Sequence, residues 1–90
     1  MNYTVYILRT SGNTLYVGQT HDLAKRLKEH RQKSSKAAKY IRSFASFDLV
    51  YQENFPTRKE AVKREWQLKQ WSRPKKEALI ADSKALLKRS

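Results

Sequence analysis

Glu65 follows Ala61 by four residues and precedes Leu68 by three, so on a helix it falls among the apolar positions that face a core. A helix that only had to pack would carry Leu or Ala there. A carboxylate in that place is either an edge group paired to an arginine across the sheet or a hard oxygen ligand for a cation such as Mg2+. Arg26 and His30 stand four residues apart, beside the apolar pair Leu23 and Leu27. One offers a guanidinium to a phosphate, the other an imidazole for hydrogen bonding or proton transfer. The plainer alternatives are a solvated base for Arg26 and, for His30, a cation favoured by the helix dipole. Tyr6 and Tyr16 lie in two short β-prone segments, where a tyrosine ordinarily packs across strands. They share a face only if paired residue numbers sum to an even value. A connection from Thr10 to Thr14 has that register, opposing Leu8 to Tyr16 and Tyr6 to Gly18.

These groups need a sheet and helices to bring them together. Tyr3 to Arg9 is rich in β-branched and aromatic residues and predicts a first strand. Ser11, Gly12 and Asn13 supply turn chemistry. Leu15 to Gly18 predicts a second strand, closing on a glycine that lets another group approach the backbone. Asp22 is placed to cap a helix over Leu23, Ala24 and Leu27 that runs to about residue 32. Lys33 to Lys36 is a polar break, and Ala37 to Phe44 has the pattern of a short helix. Phe47 to Phe55 predicts a third strand, with Leu49, Tyr51 and Glu53 on one face and Asp48, Val50 and Gln52 on the other. After Pro56, Thr57 and Glu60 form a capping-box signature before a helix carrying Ala61, Val62, Leu68 and Trp71, which ends near residue 71. Ser72 caps the next helix, with Pro74 tolerated in its first turn and Ala78, Leu79 and Ile80 on its apolar side. Asp82 opens a last short helix with Leu86 and Leu87. The expected class is α+β, a small three-stranded antiparallel sheet flanked by helices in the order β-β-α-(α)-β-α-α. One domain is expected over residues 1–90, with a core at about 3–81 and a C-terminal helical extension at about 82–90.

A chain of 90 residues has room for one modest core. Tyr 5, Phe 3 and Trp 2 supply enough bulk to argue against disorder despite a charged fraction of 31%. With no cysteine, disulfides and thiolate metal sites are excluded and a cytoplasmic setting is expected. No apolar run approaches the length of a membrane span, so no membrane partner is expected. Twenty Lys+Arg against eight Asp+Glu leave a net charge of +12, which repels itself and is relieved by a polyanion. The bases cluster: residues 1–22 contain Arg9 alone, whereas residues 24–43 contain Lys25, Arg26, Lys28, Arg31, Lys33, Lys36, Lys39 and Arg42 against Glu29. Lys25, Lys36, Lys39 and Arg42 are therefore candidate contacts to a nucleic acid. A monomer is the expected state.

In order along the chain, these residues resemble the GIY-YIG nucleases. Thr4-Val5-Tyr6 and Tyr16-Val17-Gly18 resemble the two tripeptides that give the family its name, with Thr4 in place of Gly and Val5 in place of Ile. Arg26 and His30 match the Arg and His of the family's next helix. Ala61 to Glu65, followed by Leu68 and Lys69, looks like the segment with the metal-binding Glu. The resemblance covers about residues 3–81 and is closest in kind to small stand-alone bacterial members, through Arg64, Glu65, Lys69, Arg73 and Lys76. Larger members place an Asn late in the site, which has no counterpart in Gln70-Trp71-Ser72-Arg73. The resemblance implies a nuclease hydrolysing phosphodiester bonds in DNA, with structured or single-stranded nucleic acid and RNA as further substrates. It implies one Mg2+ or Mn2+ on Glu65, and Tyr6 as general base or as the group that orients water. With an ordinary pKa of about 10, that phenol needs a nearby cation or hydrogen bond to act as a base. Arg26 would neutralise charge on the phosphate. Tyr16 and His30 would position water or assist proton transfer, and Lys69, Arg73 and Lys76 would contact nucleic acid. The competing reading is a binding module that keeps the fold and the basic face but cuts poorly, within a larger complex.

Overall fold

The computed structural model describes residues 2–32 and 46–89, with side chains described as far as Ser83. Its elements are β1 (Tyr3–Thr10), β2 (Leu15–Thr20), α1 (Leu23–Arg31), β3 (Phe47–Phe55), α2 (Arg58–Gln70) and α3 (Arg73–Arg89). The helix expected over 37–44, and with it Lys36, Lys39 and Arg42, lies outside the described residues.

The hairpin has the expected even register, with Tyr6 opposite Gly18 and Leu8 opposite Tyr16. Its turn is closed by the Thr10 N–H donating to the Thr14 carbonyl and the Asn13 N–H donating to the Thr10 carbonyl, each at 2.9 Å. Asn13 takes the left-handed conformation (φ 61°) that asparagine tolerates better than most residues. β2 continues past Gly18 to Thr20, because Gln19 and Thr20 still find partners in Val5 and Thr4.

Strand order is β2-β1-β3, antiparallel throughout. The central strand is covered on both faces, which is why the run Val5 to Leu8 is wholly buried. Val5 and Ile7 join Val17, Ala61, Leu68 and Ile80 under α2 and α3. Tyr6 and Leu8 join Leu27 of α1 on the opposite face. In β3 the expected alternation fails. A bulge shifts the register so that Tyr51 opposes Ile7 while Leu49 opposes Leu8, leaving Val50 as the extra residue. Leu49 therefore packs in the α1 layer and Tyr51 in the α2 layer, not on one face.

The helix caps form as the sequence predicts, with one change. Asp22 accepts the Lys25 N–H at 3.1 Å, and Thr57 Oγ1 accepts the Glu60 N–H at 3.3 Å. The Glu60 carboxylate takes the Thr57 hydroxyl at 3.1 Å, instead of the backbone N–H of a full capping box. α3 runs through Asp82 without the expected break, since no proline or glycine interrupts it there. Among the described residues, two ion pairs tie the layers. Glu77 of α3 accepts two hydrogen bonds from Arg9 of β1, at 2.9 and 2.5 Å. Glu53 of β3 accepts two from Arg64 of α2, both at 3.0 Å, and one from the Tyr51 hydroxyl.

Candidate active site

β1 delivers Tyr6 onto the face that α1 covers, and the side chain is almost wholly enclosed. Its ring crosses β2 at Gly18, where a Cβ would stand 2.5 Å from the phenol oxygen and 2.6 Å from Cζ. The group that approaches that glycine is thus a side chain of the partner strand. On α1, Leu27 faces the sheet, and His30 in the last turn is buried with it at 1% exposure. His30 Nε2 lies 3.2 Å from the Tyr6 hydroxyl. Tyr16 of β2 stands beside both, its ring centroid 6.5 Å from Tyr6 and 6.0 Å from His30. Phe47 of β3 closes the enclosure, its ring centroid 5.9 Å from that of His30 and the two planes nearly perpendicular. Arg26, one turn before His30, hydrogen-bonds Tyr6 and pairs with Glu29 at 3.5 Å.

Burial sets the protonation states. It pushes the Tyr6 phenol up to about 12, reinforced by Tyr16 and Glu65, while the Arg26 hydrogen bond and charge pull it down less strongly. His30 is held below its ordinary value, first by burial and then by the Arg26 charge, with Glu29 opposing. At neutral pH the pair is therefore a phenol and a neutral imidazole. A guanidinium can only donate, so the phenol oxygen accepts from Arg26, while the direction of its bond to His30 Nε2 follows the imidazole tautomer. His30 Nδ1 is buried and has no hydrogen-bond partner among the described residues. His30 is thus no dipole-stabilised surface cation, and the alternative reading of it is corrected by its burial.

Glu65 lies on α2, in the layer that covers the opposite face from α1. Its side chain is only 20% exposed and pairs with Lys69 Nζ at 3.2 Å, one turn along the same helix. The arginine next to it, Arg64, is engaged by Glu53. The charge of Glu65 nonetheless reaches Tyr6, where it raises the phenol pKa. Among the described residues no group of three or more His, Cys, Asp or Glu is gathered for a metal. A lone carboxylate fits Mg2+ or Mn2+, which bind through one or two carboxylates and retain waters and phosphate oxygens; it does not fit a tightly caged metal such as structural zinc. Lys69, half exposed, now supplies the neutralising charge.

Beside this cluster, at the N-terminal end of α1, opens a cleft of about 450 Å3 lined by Lys25, Arg26 and Arg58, with Thr20, Asp22 and Glu29 among its other walls. Arg26 thus borders both the cleft and the buried tyrosine. Of the other basic candidates, Lys25 lines the cleft and Lys69 is at Glu65. Arg73 instead joins Arg9 on Glu77, at 3.5 Å, and Lys76 is half-buried on α3. Sequence reasoning missed Arg58, Phe47 and the service of Glu29 to Arg26. The isolation of Glu29 as the single acid among the bases of 24–43 was the available signal. Arg58 and Phe47 carry none, because each arrives from an element distant in sequence.

The profile of the GIY-YIG catalytic domain matches residues 2–78. A UPF0213 protein of Bacillus pumilus is 41% identical over 81 residues, covering 90% of this chain and 81% of that protein. One from Desulfotalea psychrophila is 43% identical over 79 residues, covering 88% and 71%. The solution NMR structure of a UPF0213 protein from Bacillus halodurans superposes with a TM-score of 0.59 at 41% identity, covering 90% of this chain and 84% of that one. It supports the α+β architecture described above.

Proposed function

This chain belongs to the GIY-YIG catalytic-domain family, and on that footing we propose that it is a metal-dependent nuclease that hydrolyses phosphodiester bonds in DNA. The observation that carries the reading is the Tyr6 hydroxyl, bonded to His30 and Arg26 and within electrostatic reach of Glu65. Arg26 borders the basic cleft, so its guanidinium is available to a phosphate lying there, and Glu29 holds it in place. Tyr6 accepts a proton from the attacking water as its own proton moves to His30 Nε2. Burial holds the His30 pKa down first and the Arg26 charge second; the incoming phosphate offsets that charge, which makes the transfer easier. Tyr16, half-buried beside both rings, orients the water. Glu65 would hold one Mg2+ or Mn2+, whose contribution when bound is to polarise the phosphate and stabilise the leaving oxygen. Lys25 and Lys69 flank the path of the backbone. The net charge of +12 supports a nucleic-acid partner, DNA ahead of RNA, and a cysteine-free chain accords with a cytoplasmic setting. We take the protein to act as a monomer.

The test is cleavage of labelled DNA and RNA of varied structure in Mg2+ or Mn2+, with Glu65→Ala and Tyr6→Phe alongside. The parent should cut, and each variant should lose roughly a hundredfold or more in rate. If both variants cut as well as the parent, the assigned site is wrong. A phenol held at about 12 favours a second reading, a binding module that cuts poorly. Salt-sensitive binding without cleavage in any metal would establish that module instead.

A further inference from the structure

Tryptophan is the residue with most to gain from burial, yet Trp66 on α2 is 64% exposed, and Val62 one turn before it is 40% exposed. The other described tryptophan behaves ordinarily. Trp71 is half-buried, with the Arg64 guanidinium 5.1 Å and the Lys75 ammonium 4.3 Å from its ring centroid. Trp66 lies outside the packing face of its helix, whose Ala61 and Leu68 are buried in the core. Residues three and four apart share one side of a helix, which sets the exposed Lys63, Lys69 and Gln70 around the indole and Lys59 beyond Val62.

We propose that Trp66 is a stacking platform for an unpaired base of the nucleic acid, next to the phosphate that Glu65 and Lys69 attend. The inference rests on the nuclease reading for its partner and adds a binding residue and a substrate feature to it. Lys69 connects the two places: it is three residues from Trp66, four from Glu65, and its Nζ is 3.2 Å from the Glu65 carboxylate. A backbone phosphate drawn to the Lys69 ammonium leaves a neighbouring nucleotide over the indole. An aromatic face ringed by ammonium groups suits this occupant, since every base has a π-face and every linkage a negative charge. Other occupants fit less well. A second copy of the same face would set lysines against lysines. A lipid surface calls for a broad apolar face, and among the described residues the exposed large apolar side chains are Trp66 and Val62 alone. The base must be unpaired and unstacked, because in an intact duplex both of its faces are already covered.

The experiment measures binding of a labelled single-stranded oligonucleotide and of a relaxed, covalently closed circular duplex with neither end nor loop, in EDTA so that neither is cut. Trp66→Ala should weaken single-strand binding about tenfold, the scale of one base stacked on an aromatic side chain. Trp66→Phe should retain most of the affinity, and the closed duplex should bind the parent and Trp66→Ala alike. Indole fluorescence should be quenched by the single strand in the parent far more than in Trp66→Ala. Unchanged single-strand binding in Trp66→Ala, or an equal loss on the duplex, overturns the platform. If the parent still cleaves in Mg2+ in that case, the nuclease reading stands without it. If the parent neither binds nor cuts, both fall. A parent that sediments as a dimer while Trp66→Ala is monomeric assigns the surface to a second copy and also overturns the proposal.

Discussion

Gly18 and the Tyr6 phenol occupy one space between two strands: a Cβ on residue 18 would lie 2.5 Å from the Tyr6 hydroxyl oxygen. Gly18 has no positive φ, so it is required for clearance, not for backbone freedom. Through that clearance the Tyr6 hydroxyl comes within 3.2 Å of His30 Nε2.

Gly18→Ala is expected to displace a ring that Leu8 and Leu27 hold in place, since all three pack together. The loss of stability should be ~1–3 kcal/mol, the range for overpacking a buried site. Cleavage should fall toward that of Tyr6→Phe. Urea unfolding read beside the cleavage rate checks both, and a variant that is as stable and active as the parent would contradict the geometry.

Tyr6 and Tyr51 are both pushed up to about 12, by burial first in each case. An alkaline absorbance titration should show two phenols ionising late, with Tyr6→Phe and Tyr51→Phe each removing one. The folded state holds these protons more tightly than the unfolded chain, whose tyrosines titrate near ~10. Stability should therefore be unaffected by these groups below about pH 10 and decline as pH rises toward 12.

His30 has the opposite linkage at acid pH. Its pKa is lowered in the fold, so below about 6.5 the unfolded chain takes up a proton that the folded protein excludes. The contribution is absent above that value, and stability declines as pH falls through it, at up to ~1.4 kcal/mol per pH unit. Urea unfolding at about pH 7.5 and about pH 5 should show this decline in the parent. In His30→Gln the same comparison should be flatter. Equal slopes would show that the imidazole is not shielded as described.

Glu65→Gln separates metal use from phosphate binding. The variant loses the carboxylate that pairs with Lys69 at 3.2 Å, leaving that ammonium free for a phosphate. Binding of a DNA strand in EDTA should then be as tight as in the parent or tighter. Cleavage in Mg2+ should be lost. Weaker binding in EDTA together with intact cleavage would place the acid in a structural role.

The hairpin register follows from side-chain period and connection length, and this is why the sequence alone sets Tyr6 and Tyr16 on one face. Asp22 and Thr57 likewise mark helix starts through local hydrogen bonds that need no tertiary partner. The bulge at Val50 has no such mark. No glycine or proline accompanies it, and it arises from how β3 meets the central strand, so the division of Leu49 and Tyr51 between two layers is a tertiary outcome.

At the candidate site, the residue types and their order along the chain were enough to propose a phenol pair, a guanidinium, an imidazole and one acid. Their protonation was not readable from the same letters. His30 is neutral because Tyr6, Tyr16 and Phe47, from three different strands, exclude water from it while Arg26 adds a repelling charge. Desolvation is caused by whatever surrounds a group in space, and those neighbours lie up to tens of residues away along the chain. Local sequence determined which groups this protein possesses and which elements carry them; only the packed sheet decided which of them are dry, which are charged and which face each other.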